Sequence, residues 1–217
     1  MTDQPAAQVA APVTPLNVNI GDWLKAAWEL FKTDIVTLVV ANLIATVLAA
    51  VTCGVLAGPM MVGLYHTFQK KARGQKFEYG DLFWGLSNQF LPSFLIILVF
   101  FVALSLVGVI PCVGPLLSSL AMLALSPLLL YSLCLLADAP QTVPVGGLQD
   151  LVKGVWTKLQ PQYLMFVVWI LVAYIISGAG SIACGIGMLV TAPIGVMGLM
   201  VSYLDVFKGE KPVIAKQ

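Results

Sequence analysis

The chain is short of charge. Lys, Arg, Asp and Glu make up 10% of its 217 residues, against about 25% in an ordinary soluble domain. Apolar residues reach 59% and the mean hydropathy is +0.96, so too few polar side chains are present to cover a water-facing surface. The net charge of +1 argues against a nucleic-acid partner, which would call for a basic face or stripe. The alternating segments of about ten residues that build a transmembrane barrel are missing. Met1 to Asn19 has neither a basic n-region nor a continuous apolar core, so it does not read as a secretory signal. Rich in Ala and Pro, it reads as a disordered tail in water (1–19), which leaves insertion to the first spanning helix.

Chemistry-bearing groups are also scarce. His66 is the single histidine, about one turn before a charged exit, where it reads as a polar anchor at the membrane interface. No Asp, Glu, Lys or Arg falls within any expected spanning core, and proton relays, ion pathways and charged-substrate sites usually need such groups. Asn42 is the most polar side chain in a core and reads as a bridge between two helices. Gly185-Ile186-Gly187 lacks the strand and the basic partner of a phosphate loop. No nucleophile, base or metal cluster converges at one depth, so the expectation is a protein that is not an enzyme, with no cofactor and no metal.

What is present is a set of apolar runs of spanning length, which take about 20 residues each. The chain reads as an all-α integral membrane protein. Its organising stretch is ACGIGMLVTAPIGVMGLMVSYLDVF, where Ala183, Gly187, Thr191 and Gly195 recur at every fourth position. That spacing places four small residues on one helix face, where another backbone can approach closely. The stretch carries Pro193 about 12 residues before the charged exit at Asp205. The same arrangement occurs twice more. Pro59 lies about 11 residues before the Lys70/Lys71 pair, and Pro127 about 11 before Asp138, with spacings of 68 and 66 residues between the prolines.

A threefold repeat follows, each unit an interfacial amphipathic helix and then a helical hairpin, six spans in all. Unit one covers 20–76. GDWLKAAWELFKTD sets Trp23, Ala27, Leu30 and Phe31 against Lys25, Glu29 and Lys32, with Asp22 as N-cap and the tryptophans at headgroup level. Spans are expected over about 35–52 and 55–69, the first carrying a small-residue face of Ala41, Ala45 and Ala49. Unit two covers 77–138. Asp81 opens DLFWGLSNQF, with an aromatic face of Phe83, Trp84 and Phe90, before spans over about 91–110 and 116–136. Unit three covers 139–207: a Pro/Gly loop, LQDLVKGVWTKL with Leu148, Leu151, Val152, Val155 and Trp156 on its apolar face, and spans over about 162–178 and 185–205. Residues 208–217 form a second tail. Asp22, Asp81 and Asp150 stand at equivalent starts. The three prolines read as fixed kinks that let the hairpins pack around an axis; the competing reading makes them hinges, since Pro removes a backbone hydrogen bond.

The charges also set an orientation. The 11 Lys and Arg residues fall in the interfacial helices, at and after the exit of the second span, or near the C-terminus. The turns at 52–58, 110–116 and 177–186 carry none. By the positive-inside rule both termini are cytoplasmic, in a plasma (bacterial inner) membrane, and the turns face out. Cys53, Cys112 and Cys184 each sit at an outer turn. In an oxidising compartment two could pair, or three thiolates could meet a soft metal; the simpler reading is that a small apolar Cys suits a tight turn. Cys134, near a cytoplasmic end, reads as packing.

Two segments resemble a known pattern. AGPMMVGLYHTFQKKARGQKFEYGDLFWGL resembles a recurrent motif of uncharacterised bacterial six-helix inner-membrane protein families: a Gly-Pro helix start, a basic loop, then a short Asp-Leu-Phe segment. GIGMLVTAPIGVMGLMVSYLDVFKGE resembles their C-terminal pattern of Gly-x-Gly, a Pro and a Tyr-x-x-x-Phe exit. These families are similar to the membrane domain fused to glycerophosphodiester phosphodiesterases. The resemblance covers most of residues 35–210 and implies six helices; with no phosphodiesterase domain in the chain, it implies no such activity.

Two functions fit these readings. One is a scaffold or accessory subunit that packs, through its small-residue faces, with itself or with another membrane protein. The other is a carrier of lipid or another apolar molecule, with the bilayer as partner in both cases. Six helices, kinking prolines and surface helices are similar to the arrangement of mitochondrial carriers. Those place an acidic residue two positions after each proline, whereas here Met60-Met61, Leu128-Leu129 and Ile194-Gly195 follow, so the salt-bridge gate is missing.

Overall fold

The computed structural model describes residues 18–111, 113–180 and 186–213. Among these the chain is helical, with no strand. The helices run in the order α1 (Ile20–Lys32), α2 (Ile35–Val51), α3 (Ala57–Ala72), α4 (Trp84–Asn88), α5 (Phe90–Gly108), α6 (Gly114–Asp138), α7 (Leu148–Leu159), α8 (Tyr163–Ala179) and α9 (Ile186–Tyr203). Single 3-10 turns at Tyr79–Phe83, Val145–Gly147 and Gln160–Gln162 lead into α4, α7 and α8, and α9 runs on into a π turn at Leu204–Lys208.

Four stretches are long and apolar enough to cross a membrane: Phe90–Gly108, Gly114–Asp138, Val145–Ala179 and Leu189–Lys208. A fifth is reached if α1 and α2, bent by 98° at the Thr33-Asp34 break, count as one span. The expected second span corresponds to α3. It has 16 residues and carries Lys70 and Lys71 in its last turn, short of the ~20 apolar residues a crossing needs.

α1 starts one turn earlier than its acidic residue suggests. The N-cap is Asn19, not Asp22: the Asn19 side-chain oxygen accepts from the Asp22 amide at 3.4 Å while its amide group donates to the Asp22 carboxylate at 2.5 Å. Asp22 lies inside the first turn, where a negative charge still meets the positive end of the helix dipole. The residues Trp23, Ala26, Ala27, Leu30 and Phe31 recur at helical spacing and are buried against the protein, chiefly against α9. Trp23 therefore faces protein and not lipid. Its ring lies between Phe166 and Trp169, at 6.4 and 5.4 Å between centroids, and its indole N–H, needing an acceptor once buried, donates to Asp205 at 2.8 Å. Trp28, on the opposite side of α1, is exposed.

α3 is the most enclosed helix, packed against α2, α4, α5, α6, α9 and the 79–83 turn. Glycine permits this. A Cβ on Gly63 would collide with the Leu82 carbonyl, and one on Gly85 with the Pro59 carbonyl, so α3 and the segment leading into α4 touch backbone to backbone. The segment is held by a capping box between Glu78 and Asp81 and by Gln89, which donates to the Gln141 carbonyl at 2.9 Å and accepts from the Val143 amide at 3.2 Å.

Between α6, α8 and α9 the core is aromatic: Tyr131, Phe166, Trp169, Tyr203 and Phe207, with Ser202 at its centre. Ser202 Oγ accepts from Trp169 Nε1 at 3.1 Å, pairs with the Tyr131 hydroxyl at 2.8 Å and donates to the Leu199 carbonyl at 2.8 Å. Gly198 leaves the room that the Trp169 ring occupies, with a Cβ there only 3.0 Å from the ring edge.

Candidate functional site

The charges gather where the end of α3, the end of α6 and the end of α9 meet. Arg73, just past α3, donates to Asp138 at 2.7 Å and to Glu210 at 2.9 Å. Asp138, closing α6, also receives Lys208 at 2.7 Å and the Tyr203 hydroxyl at 3.1 Å. Beside them Lys71 pairs with Asp34 at 3.1 Å and Lys70 with Asp81 at 2.7 Å. Partial burial lowers the charge tolerance of Arg73, but its two carboxylate partners outweigh this and hold the guanidinium above its ordinary value. Burial raises Asp34, and the hydrogen bonds from Thr37 and Lys71 bring its carboxyl below the usual carboxylate range. Partly exposed pairs of this kind contribute about 0–1 kcal/mol each. Their collective effect is to tie the ends of α2, α3, α6 and α9 together. After Gly209, in the left-handed region at φ 67°, the chain turns back until the Val213 amide donates to the Ala72 carbonyl at 2.9 Å. His66 belongs to this end: its ring stacks on Trp84 at 4.4 Å, and Nδ1 donates to the Ala137 carbonyl at 2.8 Å, which fixes the tautomer since a carbonyl only accepts.

The small-residue stripe of α9 is spent within the chain. A Cβ on Gly187 would meet the Gly180 carbonyl, one on Gly195 would strike Ser177 Oγ, and Thr191 Oγ1 donates to the Ser177 carbonyl at 2.7 Å. The stripe therefore seats α9 on α8, its own hairpin partner. Ala183, its first member, lies outside the described residues. On α2, Ala41 and Ala45 are buried and Ala49 half-buried. Asn42 is buried too, but its side chain makes no bridge to another helix among the described residues; its carbonyl accepts from the Thr46 hydroxyl within α2.

The three prolines are not equivalent. Pro127 and Pro193 lie inside α6 and α9. Pro59 is in the first turn of α3, where no intrahelical partner exists for its missing N–H, so it starts a helix and kinks none. At Pro127 the carbonyl of Leu123 loses its usual donor four residues on, and Ser126 Oγ supplies a replacement at 2.8 Å. One residue along, the Ala124 carbonyl accepts from the Tyr163 hydroxyl at 2.5 Å. Of the outer-turn thiols, Cys53 is exposed with φ 50°, while Cys112 and Cys184 lie outside the described residues. Cys134 is buried on α6. No group of three or more His, Cys, Asp or Glu able to hold a metal occurs among the described residues.

A feature that the sequence did not announce opens beside Pro127 of α6. A cleft of ≈ 730 Å³ lies between α5, α6 and α7, within the ~300–1,000 Å³ usual for ligand sites. Its walls are Leu95, Ile96, Val99, Phe100 and Ala103 from α5, with Leu125, Leu128 and Leu129, which bracket Pro127, from α6. Val145, Leu148 and Val152 close the third side. Polar groups are few. Ser132 uses its hydroxyl on the Leu128 carbonyl at 2.6 Å, which leaves Gln149 and Lys153 of α7, both exposed and without a side-chain partner among the described residues. The apolar face of α7 was legible as a pattern of Leu and Val; that it would stand off from α5 and leave a gap depends on tertiary placement and has no local signature. Such a cleft can hold an extended apolar chain. Comparison with protein-family models, with curated proteins and with solved structures finds no match.

Proposed function

We propose that this chain is a non-enzymatic, multi-pass membrane protein that binds a lipid or another apolar chain in the cleft between α5, α6 and α7, acting as a carrier or lipid-holding subunit. The cleft carries the reading: it is concave and walled by aliphatic and aromatic side chains. Topology in this reading follows the charge distribution, with both termini and the Arg73–Asp138 network cytoplasmic and the turn at Cys53 outside. In this reading α2 and α3 complete six crossings in three hairpin units of the inner membrane, the short α3 being enclosed by protein on most sides instead of by lipid.

Lipid retention tests it. The full chain, extracted into nanodiscs formed from its native membrane, is released for native mass spectrometry beside the variant Ala103→Trp. Ala103 is exposed on the cleft wall, so an indole there fills space without disturbing the core. A lipid held one to one by the wild type and lost by the variant supports the reading. Equal lipid on both sinks it.

A second reading, a scaffold or accessory subunit, is favoured by α5. Only 11% of its apolar window is buried within the chain, and Val99, Phe101, Val102 and Leu106 stand exposed. The α9 stripe, engaged by α8, does not serve this role. A defined oligomer or a stoichiometric protein partner in the same spectra would support it.

A further inference from the structure

Resting on that lipid-binding reading, we infer that the occupant of the α5–α6–α7 cleft is an anionic phospholipid of the surrounding bilayer, its acyl chain between α5 and α6 and its phosphate on Lys153. Three observations select this class. Lys153 is the one charged group on the cleft, and it has no ion-pair or hydrogen-bond partner among the described residues. Most other cations near helix ends are engaged: Lys32 with Glu29, Lys70 with Asp81, Lys71 with Asp34, Arg73 and Lys208 with Asp138. Lys25, Lys76, Lys158 and Lys211 also lack an ion-pair partner among the described residues, but Lys153 alone stands where an apolar gap meets the surface.

The second observation is chemical order along α7. Leu148 and Val152 face the cleft, Gln149 and Lys153 follow each by one position, and Trp156, exposed, comes one turn later. Leu148 and Val152 form an apolar wall, and Gln149 and Lys153 set an amide and an ammonium donor beside it, a pairing that suits an acyl chain and its phosphate. A lysine stem is apolar and long enough to lie along the wall while its ammonium reaches the headgroup. The third is charge balance. A zwitterionic lipid brings its own cation to the phosphate, while an anionic headgroup leaves the phosphate to Lys153, with a charge-assisted hydrogen bond as the gain. Asp150, one turn before Lys153, lies outside the cleft lining and is exposed. It opposes an anion weakly through solvent.

The full chain is reconstituted in nanodiscs of equimolar phosphatidylglycerol and phosphatidylcholine with matched acyl chains, and the retained lipid is read by native mass spectrometry. Wild type is expected to hold one lipid and to favour phosphatidylglycerol about tenfold, the discrimination that one charge-assisted contact provides. Lys153→Gln, at an exposed position whose ammonium has no partner to lose, is expected to hold lipid with the preference reduced to near unity, and Lys153→Arg to restore it. Lipid bound by wild type without headgroup preference, or a preference undiminished in Lys153→Gln, overturns the inference while the lipid-binding reading stands. No lipid retained on wild type overturns both.

Discussion

At the residue scale, glycine decides where helices touch. Gly63 and Gly154 are both helical glycines and look alike in the sequence. Gly63 faces the Leu82 backbone with no space for a methyl group, whereas Gly154 has nothing within 4 Å of the position a Cβ would take. Gly63→Ala is therefore expected to push the 79–83 turn off α3 and destabilise the fold by about 1–3 kcal/mol, the usual cost of overpacking a tight contact. Gly154→Ala gains helix propensity of about 1 kcal/mol at no steric cost. Thermal melting of the two variants in one detergent separates them: Gly63→Ala melts lower than wild type and Gly154→Ala at or above it. Equal behaviour would show that the α3–α4 contact does not need a bare backbone. The sequence could not separate these positions, because the repeat of small residues at every fourth place that marks α9 is absent around Gly63. A similar blindness displaced the N-cap from Asn19 to Asp22: both side chains can cap, and the choice fell to where the backbone leaves the helix.

At the element scale, the apolar runs were legible to within a few residues for α2, α5 and α6, since a long uncharged run sets its own ends. α3 was harder to read, because its lower hydropathy reflects enclosure by protein on most sides; a helix surrounded by other helices can carry Gln69, donating to the Cys134 carbonyl at 3.0 Å, where a lipid-facing one could not. The proline in α6 was legible in the sequence, and its surroundings were not. Pro127 frees the Leu123 carbonyl, Ser126 and Tyr163 attach to the loosened stretch, and the cleft opens against Leu125, Leu128 and Leu129. Pro127→Ala restores the backbone donor and removes a helix penalty of up to about 3 kcal/mol. The variant is expected to melt no lower than wild type while retaining less lipid, as a straighter α6 closes toward α5. Undiminished lipid on a stable Pro127→Ala protein would show that the placement of α7 alone shapes the cleft.

For the whole molecule, charge is polarised. The ion pairs of Arg73, Asp138, Lys208, Lys70, Lys71, Asp34 and Asp81 lie at one end, and α2 carries the chain from Asp34 at that end to Cys53 at the other, 17 helical residues away or about 25 Å at 1.5 Å per residue. That length approaches the ~30 Å of the bilayer hydrocarbon, so the two ends of α2 are expected to face different compartments. By the positive-inside rule this Lys- and Arg-bearing end is expected in the cytoplasm and Cys53 outside. Cys53 is exposed and its turn uncharged, so its thiol is a usable reporter once Cys112, Cys134 and Cys184 are replaced by Ala. In intact cells a membrane-impermeant maleimide is expected to label this single-cysteine protein fully, and lysis to add nothing. Labelling that waits for lysis would invert the topology, turn the Arg73–Asp138 end outward, and leave Lys153 to meet the outer leaflet, so the same experiment fixes which leaflet could supply the lipid.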